Sequence, residues 1–338
     1  MPAFSEEEQE RSRRALEAGG LPLAAQERLR ALASGAGPRL FTSDLSVSEF
    51  ALLHKLGATP LTQVMGSSIF QHGWQTLPMD TWYGYRSGRP AVSMFGTGGV
   101  FASGNWGSGD GRSWSQELTY LSDAFNGARS RALDRLQAEA ELAGADAVVG
   151  VQVTDATHDF AGPDTVEFTA FGTAVRLPEA LRTGRVVITD LSAQEYVLLA
   201  RSGFRPVGFV GVTTVMYVAS GVADSWVLSS GNSLFSVAGR ANQELGDFTR
   251  GFYDAREAAM WRLNAAAAEA GAHGVVGVKL SQHMHEREYD DSNENKHHDL
   301  VIYIHVLGTA ITEGHEPLPS QTLKTVLSVS GKRAGRPA

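Results

Sequence analysis

Four histidines in the last third of the chain have the residue type and spacing of a metal site: His283, His285, His297 and His305. Alternate residues of a β-strand project from the same face, so His283 and His285 point together, and a returning strand brings the other two to that face. Imidazole nitrogens bind Zn²⁺, Ni²⁺ or Cu²⁺ without help from thiolates. The pattern therefore predicts a divalent transition-metal site. The alternative is a polar hairpin tip whose histidine and acidic side chains serve solubility.

A second candidate site is a group of aromatic side chains around a glycine-rich stretch: Trp74, Trp82, Tyr85, Trp106 and Trp114. Aromatic rings beside glycines can form a docking surface for a small ligand or a partner protein. They can equally form a small satellite core that holds the segment in place. The glycines between 96 and 111 lack the Gly-Lys-Ser/Thr ending of a phosphate-binding loop.

Motifs for catalysis are missing from the sequence. It contains no nucleophile elbow, no His-Glu-x-x-His and no pair of carboxylates that can be placed in a cleft. It also contains no cysteine, which excludes disulfides, thiolate catalysis and thiolate metal sites. The sequence therefore predicts a non-enzymatic protein whose cofactor, if it has one, is a divalent transition metal.

The composition is that of a chain that builds a hydrophobic core. Its 338 residues suffice for two domains. Its 37 acidic and 29 basic residues give a net charge of -8, which is a poor match to nucleic acid or to an anionic membrane. The N-terminus lacks the order of a secretory signal, and the longest apolar stretch, at 207–219, is too short to span a membrane. We expect a cytoplasmic protein with no nucleic-acid partner and no membrane span.

The elements that position these residues occur twice. Asp-Leu-Ser-x-x-Glu at 44–49 recurs at 190–195, and each copy carries the Ser–Glu capping box of a helix start. Gly57 and Gly203 then stand where a helix ends in a left-handed residue. Each copy therefore opens with a short helix.

A long helix and a hairpin follow in both copies. Apolar residues recur three and four apart over 118–136 and again over 245–263, which is typical of a helix that buries one face. Gly-Ala-x-x-Val-Val-Gly-Val follows each helix, at 144–151 and 271–278, and alternating strands after it predict an antiparallel hairpin. The predicted fold class is α+β, a tandem duplication of a β-α-β-β module with a short helix added before each.

The second hairpin has two apolar faces. If the hairpin is regular, the inner face carries Val276, Val278 and Leu280 on the outgoing strand and Leu300, Ile302 and Ile304 on the return strand. The outer face, which also carries the histidines, is apolar between 301 and 307. An exposed apolar strand face usually has a partner. That partner is either the other copy or a neighbouring chain, and we expect both.

The repeated elements resemble the YbjQ family. The resemblance rests on Gly-Ala-Asp-Ala-Val-Val-Gly-Val at 144–151 with Gly-Thr-Ala-Val at 172–175, both placed after a strand and a long helix. The second copy keeps most of this pattern and departs from it at His273, Gly274 and Ile311. The resemblance implies a small antiparallel sheet on one helix, a heavy-metal-binding label, and self-assembly into rings, commonly pentamers.

These observations divide the chain into four segments. We predict an N-terminal helical extension at 1–37, a first module with the aromatic insert at 38–180, a second module with the histidine-rich hairpin at 184–314, and a partly disordered tail at 315–338. The predicted function is a ring-forming assembly or scaffold protein whose partner is itself, in a pentamer or a multiple of five. The alternatives are a metal-binding protein that uses the four histidines and a small-ligand module that uses the aromatic insert.

Overall fold

The computed structural model describes residues 5–34, 41–71, 114–157, 165–219, 244–290 and 296–314. Within these ranges the chain forms six α-helices: α1 (Glu6–Glu17), α2 (Leu23–Ala33), α3 (Val47–Leu56), α4 (Thr119–Leu142), α5 (Ala193–Arg201) and α6 (Gly246–Glu269). Its strands are β1 (Thr59–Gln71), β2 (Trp114–Glu117), β3 (Ala147–Thr157), β4 (Thr165–Arg176), β5 (Val187–Ile188), β6 (Phe204–Ala219), β7 (Gly274–Asp290) and β8 (Lys296–Glu313). The predicted tail at 315–338 lies outside the described residues.

The strands form two four-stranded sheets that share one plan. The first has the order β1-β4-β3-β5 and the second the order β2-β6-β8-β7. In each, the strand before the long helix pairs antiparallel with the return strand of the hairpin, which pairs with the outgoing strand. Helix α4 precedes the first hairpin and α6 the second. The predicted α+β tandem duplication is confirmed.

Irregularities of the sheets are duplicated as well. The register shifts after Pro60 in β1 and after Pro206 in β6. It shifts again in both outgoing strands, where Gly150 and Gly277 each adopt a φ of 65°. A left-handed glycine is the residue expected at such a bulge. Each sheet therefore bends at two equivalent points.

The predicted inner face of the second hairpin is buried only in part. Val278 and Leu280 are 45% and 43% exposed, whereas Ile302 and Ile304 on β8 are fully buried. Val278 lies in the bulge after Val276. Helix α6 packs on β6 and β8 and leaves the edge strand β7 largely uncovered. A strand can therefore carry apolar residues on its inner face without burying them.

Both short helices begin and end as the sequence predicts. Ser46 and Ser192 accept a hydrogen bond from the third helical residue, whose glutamate accepts one from the cap in return. Gly57 and Gly203 adopt a φ of 83° after the two helices. Helices α3 and α5 then pack against one another, which places the two added helices in one cluster with Leu53, Ala193 and Tyr196.

An aspartate before each capping box fastens the short helix to the sheet. The Thr173 hydroxyl donates to Asp44, and in the second copy the Thr309 hydroxyl donates to Oδ1 of Asp190 at 2.6 Å. The repeated Asp-Leu-Ser and Gly-Thr-Ala motifs are thus two halves of one contact. Asp190 is 9% exposed, and its Oδ2 also forms an ion pair with Nζ of Lys279 at 3.1 Å. A structural role therefore accounts for these carboxylates.

The two modules exchange strands across their boundary. Strand β2, which belongs to the first module in sequence, pairs antiparallel with β6. Strand β5, which leads into the second module, pairs parallel with β3. The proposed modules at 38–180 and 184–314 are therefore separate along the sequence, but they are not separate in the sheets. Each sheet is completed by a strand from the other module.

Helix α4 lies between the two sheets. Its inner face packs on the first sheet, where Phe125, Ala128 and Ala132 form a cluster with Val166 and Phe168. Its N-terminal part packs on the second sheet, where Leu118 and Leu121 form a cluster with Val215, Tyr217 and Val301. The outer apolar face of the second hairpin is therefore covered by the first module, which is one of the two partners that we expected for it.

The N-terminal extension is docked against α4. Leu29 of α2 is fully buried, and Arg28 pairs with Glu139 at 3.3 Å. Nη2 of Arg135 also donates to the carbonyl oxygen of Leu16 at 3.2 Å. Glu139 accepts from the backbone N–H of Met65 at 3.0 Å, so one carboxylate joins the extension, the helix and β1.

Candidate functional site: a histidine and aspartate cluster between the modules

His305 lies at the centre of the layer between the modules. It stands on the face of β8 that α4 covers, and only 4% of it is exposed. Its Nδ1 lies 2.8 Å from the hydroxyl oxygen of Thr213, its cross-strand partner on β6. The same hydroxyl accepts a hydrogen bond from the guanidinium of Arg129 on α4. Arg129 of the first module therefore holds the Thr213 hydroxyl, and this hydroxyl in turn holds the imidazole ring of His305.

His283 covers the inner histidine from the side of β7. Its ring stacks on that of His305 with centroids 5.1 Å apart, and on that of Tyr303 with centroids 4.5 Å apart. His285 follows two residues later, with its ring edge-on to His283 at 5.8 Å, and it is exposed. The structure thus brings together three of the four predicted histidines.

Asp155 of the first module completes the cluster. It is an exposed residue near the end of β3, and its carboxylate and the ring nitrogens of His283 and His305 lie within 4.8 Å of one another. Sequence reasoning missed this residue, because it is far in sequence from the histidines of the second module. Only the packing of one module on the other brings it to the histidines.

His297 stands apart from this cluster. It pairs with Tyr289 near the start of β8, eight residues before His305. At about 3.3 Å per residue the two positions are about 26 Å apart along the strand. The side chain of His297 is outside the described residues. The four predicted histidines therefore do not form one site.

The predicted aromatic surface lies almost wholly outside the described residues. Trp74, Trp82, Tyr85 and Trp106 fall in the insert between β1 and β2. Trp114 begins β2, where it pairs with Ala219, and its side chain is likewise outside the description. The aromatic insert therefore stays a prediction.

Burial keeps His283 and His305 neutral at neutral pH. The pKa of His305 is lowered to about 4, chiefly by burial and further by Arg129 and His283, while Asp155 opposes the shift. The pKa of His283 is also lowered, again mainly by burial. Two unprotonated imidazoles beside a carboxylate can bind a cation without first releasing protons. Thr213 is fully buried, so this cluster does not present its hydroxyl to a substrate.

The low pKa of His305 predicts acid sensitivity. The unfolded chain binds a proton near pH 6.5 and the folded chain only near pH 4, so stability contributed by this residue is present above 6.5 and is lost as the pH falls towards 4. We expect the free energy of unfolding to fall by about 2 kcal/mol between pH 7 and pH 5 through this residue. Urea unfolding of the wild type and of His305→Asn across this range, with a chelator present, measures the difference.

The matched control for that measurement is His54→Asn. His54 is an exposed residue of α3, so the variant loses a histidine without emptying a buried position. The pH slope should weaken in His305→Asn and persist in His54→Asn. Equal slopes in all three proteins would contradict the prediction.

The structure defines a protein built from two α+β modules in tandem. Comparison with known proteins agrees with this architecture. The family model described as "Putative heavy-metal-binding", YbjQ, matches residues 113–178 and 214–313. The two matches fall on the two modules and include both long helices and both hairpins. The chain belongs to this family and carries two of its modules.

A curated relative supports the same relationship. An encapsulin nanocompartment protein of Mycobacterium tuberculosis is 37% identical over 246 residues, which cover 71% of this chain and 78% of the relative. No solved structure gives a significant match. In the described ranges no helix is both long and apolar enough to cross a membrane.

Proposed function

We propose that this chain is a non-enzymatic cytoplasmic subunit that assembles head to tail with copies of itself into a closed ring or shell. One observation carries the proposal. The interface between the two modules packs α4 on β6, and the duplication supplies a second helix, α6, and a second strand, β1, that both carry exposed side chains. Copies of the chain can therefore repeat between themselves the contact that each makes within itself.

The helix side of the internal interface is α4. Asn126 holds β6 with two hydrogen bonds, donating to the carbonyl oxygen of Thr213 at 2.9 Å and accepting from its N–H at 2.8 Å. Arg129, one turn later, is 2% exposed. The equivalent residues of α6 are Tyr253, which is 60% exposed, and Arg256, whose side chain is 45% exposed. The second module thus presents a similar helix stripe to the outside.

The strand side of the internal interface is β6, whose counterpart is β1. Val215 pairs with Tyr303, and at the equivalent position in the first sheet Ile69 pairs with Glu167. Val215 is fully buried under α4, whereas Ile69 is 56% exposed and Met65 on the same face is 54% exposed. Among the described strands β1 is an edge strand, since it pairs only with β4. Exposed apolar side chains on such a strand usually have a partner.

Head-to-tail contacts of this kind generate rings when the rotation between subunits closes. The named role of the relative, a nanocompartment protein, supports an assembly of many subunits. The family resemblance implies five chains or a multiple of five. We therefore expect a particle whose mass is such a multiple of 36.2 kDa.

Two single substitutions test the proposed surfaces. Tyr253→Glu places a charge on the helix side and Ile69→Glu places one on the strand side, and both positions are exposed in the isolated chain. Each variant should fold and remain a monomer, because burying an unpaired carboxylate in an apolar interface costs several kcal/mol. Val47→Glu is the matched control, since Val47 is an 87% exposed apolar residue on α3 and belongs to neither α6 nor β1.

Native mass spectrometry and circular dichroism provide the readouts. The wild type and Val47→Glu should give the same discrete particle, and the other two variants a folded monomer. A wild type that is monomeric at micromolar concentration would end the proposal. If both variants still assemble, self-assembly stands but its interface lies on other surfaces of the chain.

A further inference from the structure

We propose that Asp155, His283 and His305 bind one divalent first-row transition-metal ion, of the Zn²⁺ class, between the two modules. This goes beyond assembly and beyond the family description, which names no residue. Two nitrogen donors and one carboxylate oxygen, with no thiolate, form a donor set that Zn²⁺, Co²⁺ and Ni²⁺ accept. The fourth position would be taken by water.

A buried nitrogen without a partner is the observation that points to a ligand. Nε2 of His305 is inaccessible to solvent and has no hydrogen-bond partner among the described residues. Leaving such an atom unsatisfied costs about 1–3 kcal/mol, so structures rarely retain one without a reason. Nε2 is the nitrogen left over after Nδ1 has been placed against Thr213. A metal ion at Nε2 would satisfy it.

The surroundings of His305 match those of a metal ligand. A ligating imidazole usually donates its other N–H to a fixed oxygen, which sets the tautomer and the orientation of the ring. Thr213 supplies that oxygen, and Arg129 holds it in place from α4. The lowered pKa values of His283 and His305 mean that both are neutral ligands at pH 7.

The geometry needs only a small closure to hold an ion. Donor atoms around a tetrahedral Zn²⁺ lie about 3.3 Å apart, compared with a spread of up to 4.8 Å in this structure. Asp155 is exposed near the end of β3, so its side chain can rotate inward. The positive charge of Arg129 nearby weakens the site, and the carboxylate of Asp155 offsets it.

An ion in this position would bridge the two halves of the chain. Asp155 comes from the first module and both histidines from the second, so binding requires the modules to be docked. A ligand that binds only the docked state stabilises it by mass action. The site would thus add a metal-dependent contact to the internal interface.

Calorimetric titration of the untagged, chelator-treated full chain with Zn²⁺ tests the proposal, and Co²⁺ absorption reports the coordination geometry. We expect one ion per chain, a tetrahedral Co²⁺ spectrum and a Zn²⁺-dependent rise in melting temperature. Asp155→Asn and His283→Asn should each weaken binding at least tenfold. Both positions are at least partly exposed, so these variants should fold.

His285→Asn is the matched control, because it removes an adjacent histidine from the same strand and face. It should keep affinity within about threefold of the wild type. Absence of stoichiometric binding would overturn the proposal. Loss of binding in His285→Asn with retention in Asp155→Asn would also overturn it, and would assign the metal to the exposed hairpin. None of these outcomes depends on whether the chain forms rings.

Discussion

Replacing Arg129 by alanine should lower the free energy of unfolding by about 3 kcal/mol. The guanidinium donates to Thr213 and, from Nη1, to Oδ1 of Asn126 at 2.9 Å. Its carbon also lies 5.2 Å from the centroid of the Phe168 ring. Truncation would leave a cavity in the layer between the modules and remove a donor from one buried and one half-buried oxygen. Because these contacts join the modules, we expect the loss to appear as a loss of docking.

Arginine at this position is also costly, which sharpens the test. Burial lowers the pKa of Arg129 to about 10, and its Nε has no hydrogen-bond partner among the described residues. A buried charge can often be replaced by an apolar side chain of similar length at little cost. We therefore expect Arg129→Met to lose less than Arg129→Ala, about 1–2 kcal/mol.

The duplication provides the control for both variants. Arg256 occupies the same position on α6 and, within the described residues, forms an ion pair with the neighbouring Glu257 at 2.8 Å on the surface of the isolated chain. Arg256→Ala should change stability by less than about 0.5 kcal/mol when measured on monomeric protein. Urea unfolding below the assembly concentration gives all three values. Equal effects at the two arginines would mean that the buried contacts of Arg129 contribute nothing.

Replacing Gly66 by alanine should be at least as harmful, with a loss of about 3 kcal/mol or more. A Cβ atom at this position would stand 1.9 Å from the carbonyl oxygen of Ala132 and 2.5 Å from the backbone nitrogen of Leu136. Both atoms belong to the backbone of α4, so no side chain can move aside. The helix would have to move away from β1, and it would loosen the interface with the second module as it did so.

Gly127→Ala is the control for this substitution. Gly127 lies in the same helix, and a Cβ atom there would meet nothing within 4 Å. Alanine should stabilise a helix interior by about 0.5–1 kcal/mol relative to glycine. The two variants should thus change the melting temperature in opposite directions. A neutral Gly66→Ala would show that α4 is not held against β1.

The two modules achieve close packing of helix on sheet from opposite sides. The first uses Gly66 on its strand, and the position equivalent to it on β6 is Val212. The second uses Gly251 on its helix, where a Cβ atom would stand 2.4 Å from a side-chain carbon of Val218. The two copies therefore place the glycine that allows close packing on different elements, a strand in the first and a helix in the second.

Local signals carried the prediction of the fold. The capping boxes at Ser46 and Ser192, the left-handed glycines and the helical stripes depend on residues close together in sequence, and the repetition of each doubled the signal. The exposure of Val278 and Leu280 was not predictable in this way. It depends on which strands α6 covers, which is a property of the packed domain.

The candidate site shows where sequence reasoning stops. Histidines two residues apart on a strand were placed correctly on one face, because the period of a strand is fixed. His297 was grouped with His305 only because both have odd numbers and so share a strand face. That alternation does not measure distance along a strand. Asp155 is 128 residues before His283, and no spacing rule connects them. Sites that form between domains need the domain arrangement to be known first.

The exchange of strands has a consequence for how the protein is made. Strand β2 has to wait for its partner residues at 216–219, which leave the ribosome about a hundred residues later. Until then the outer stripe of α4, with Leu118 and Leu121, has no surface to pack on. A half-synthesised chain therefore carries an apolar stripe that the finished subunit buries. On polysomes, where many such chains are close together, premature association between nascent copies is the hazard that translation of this protein has to avoid.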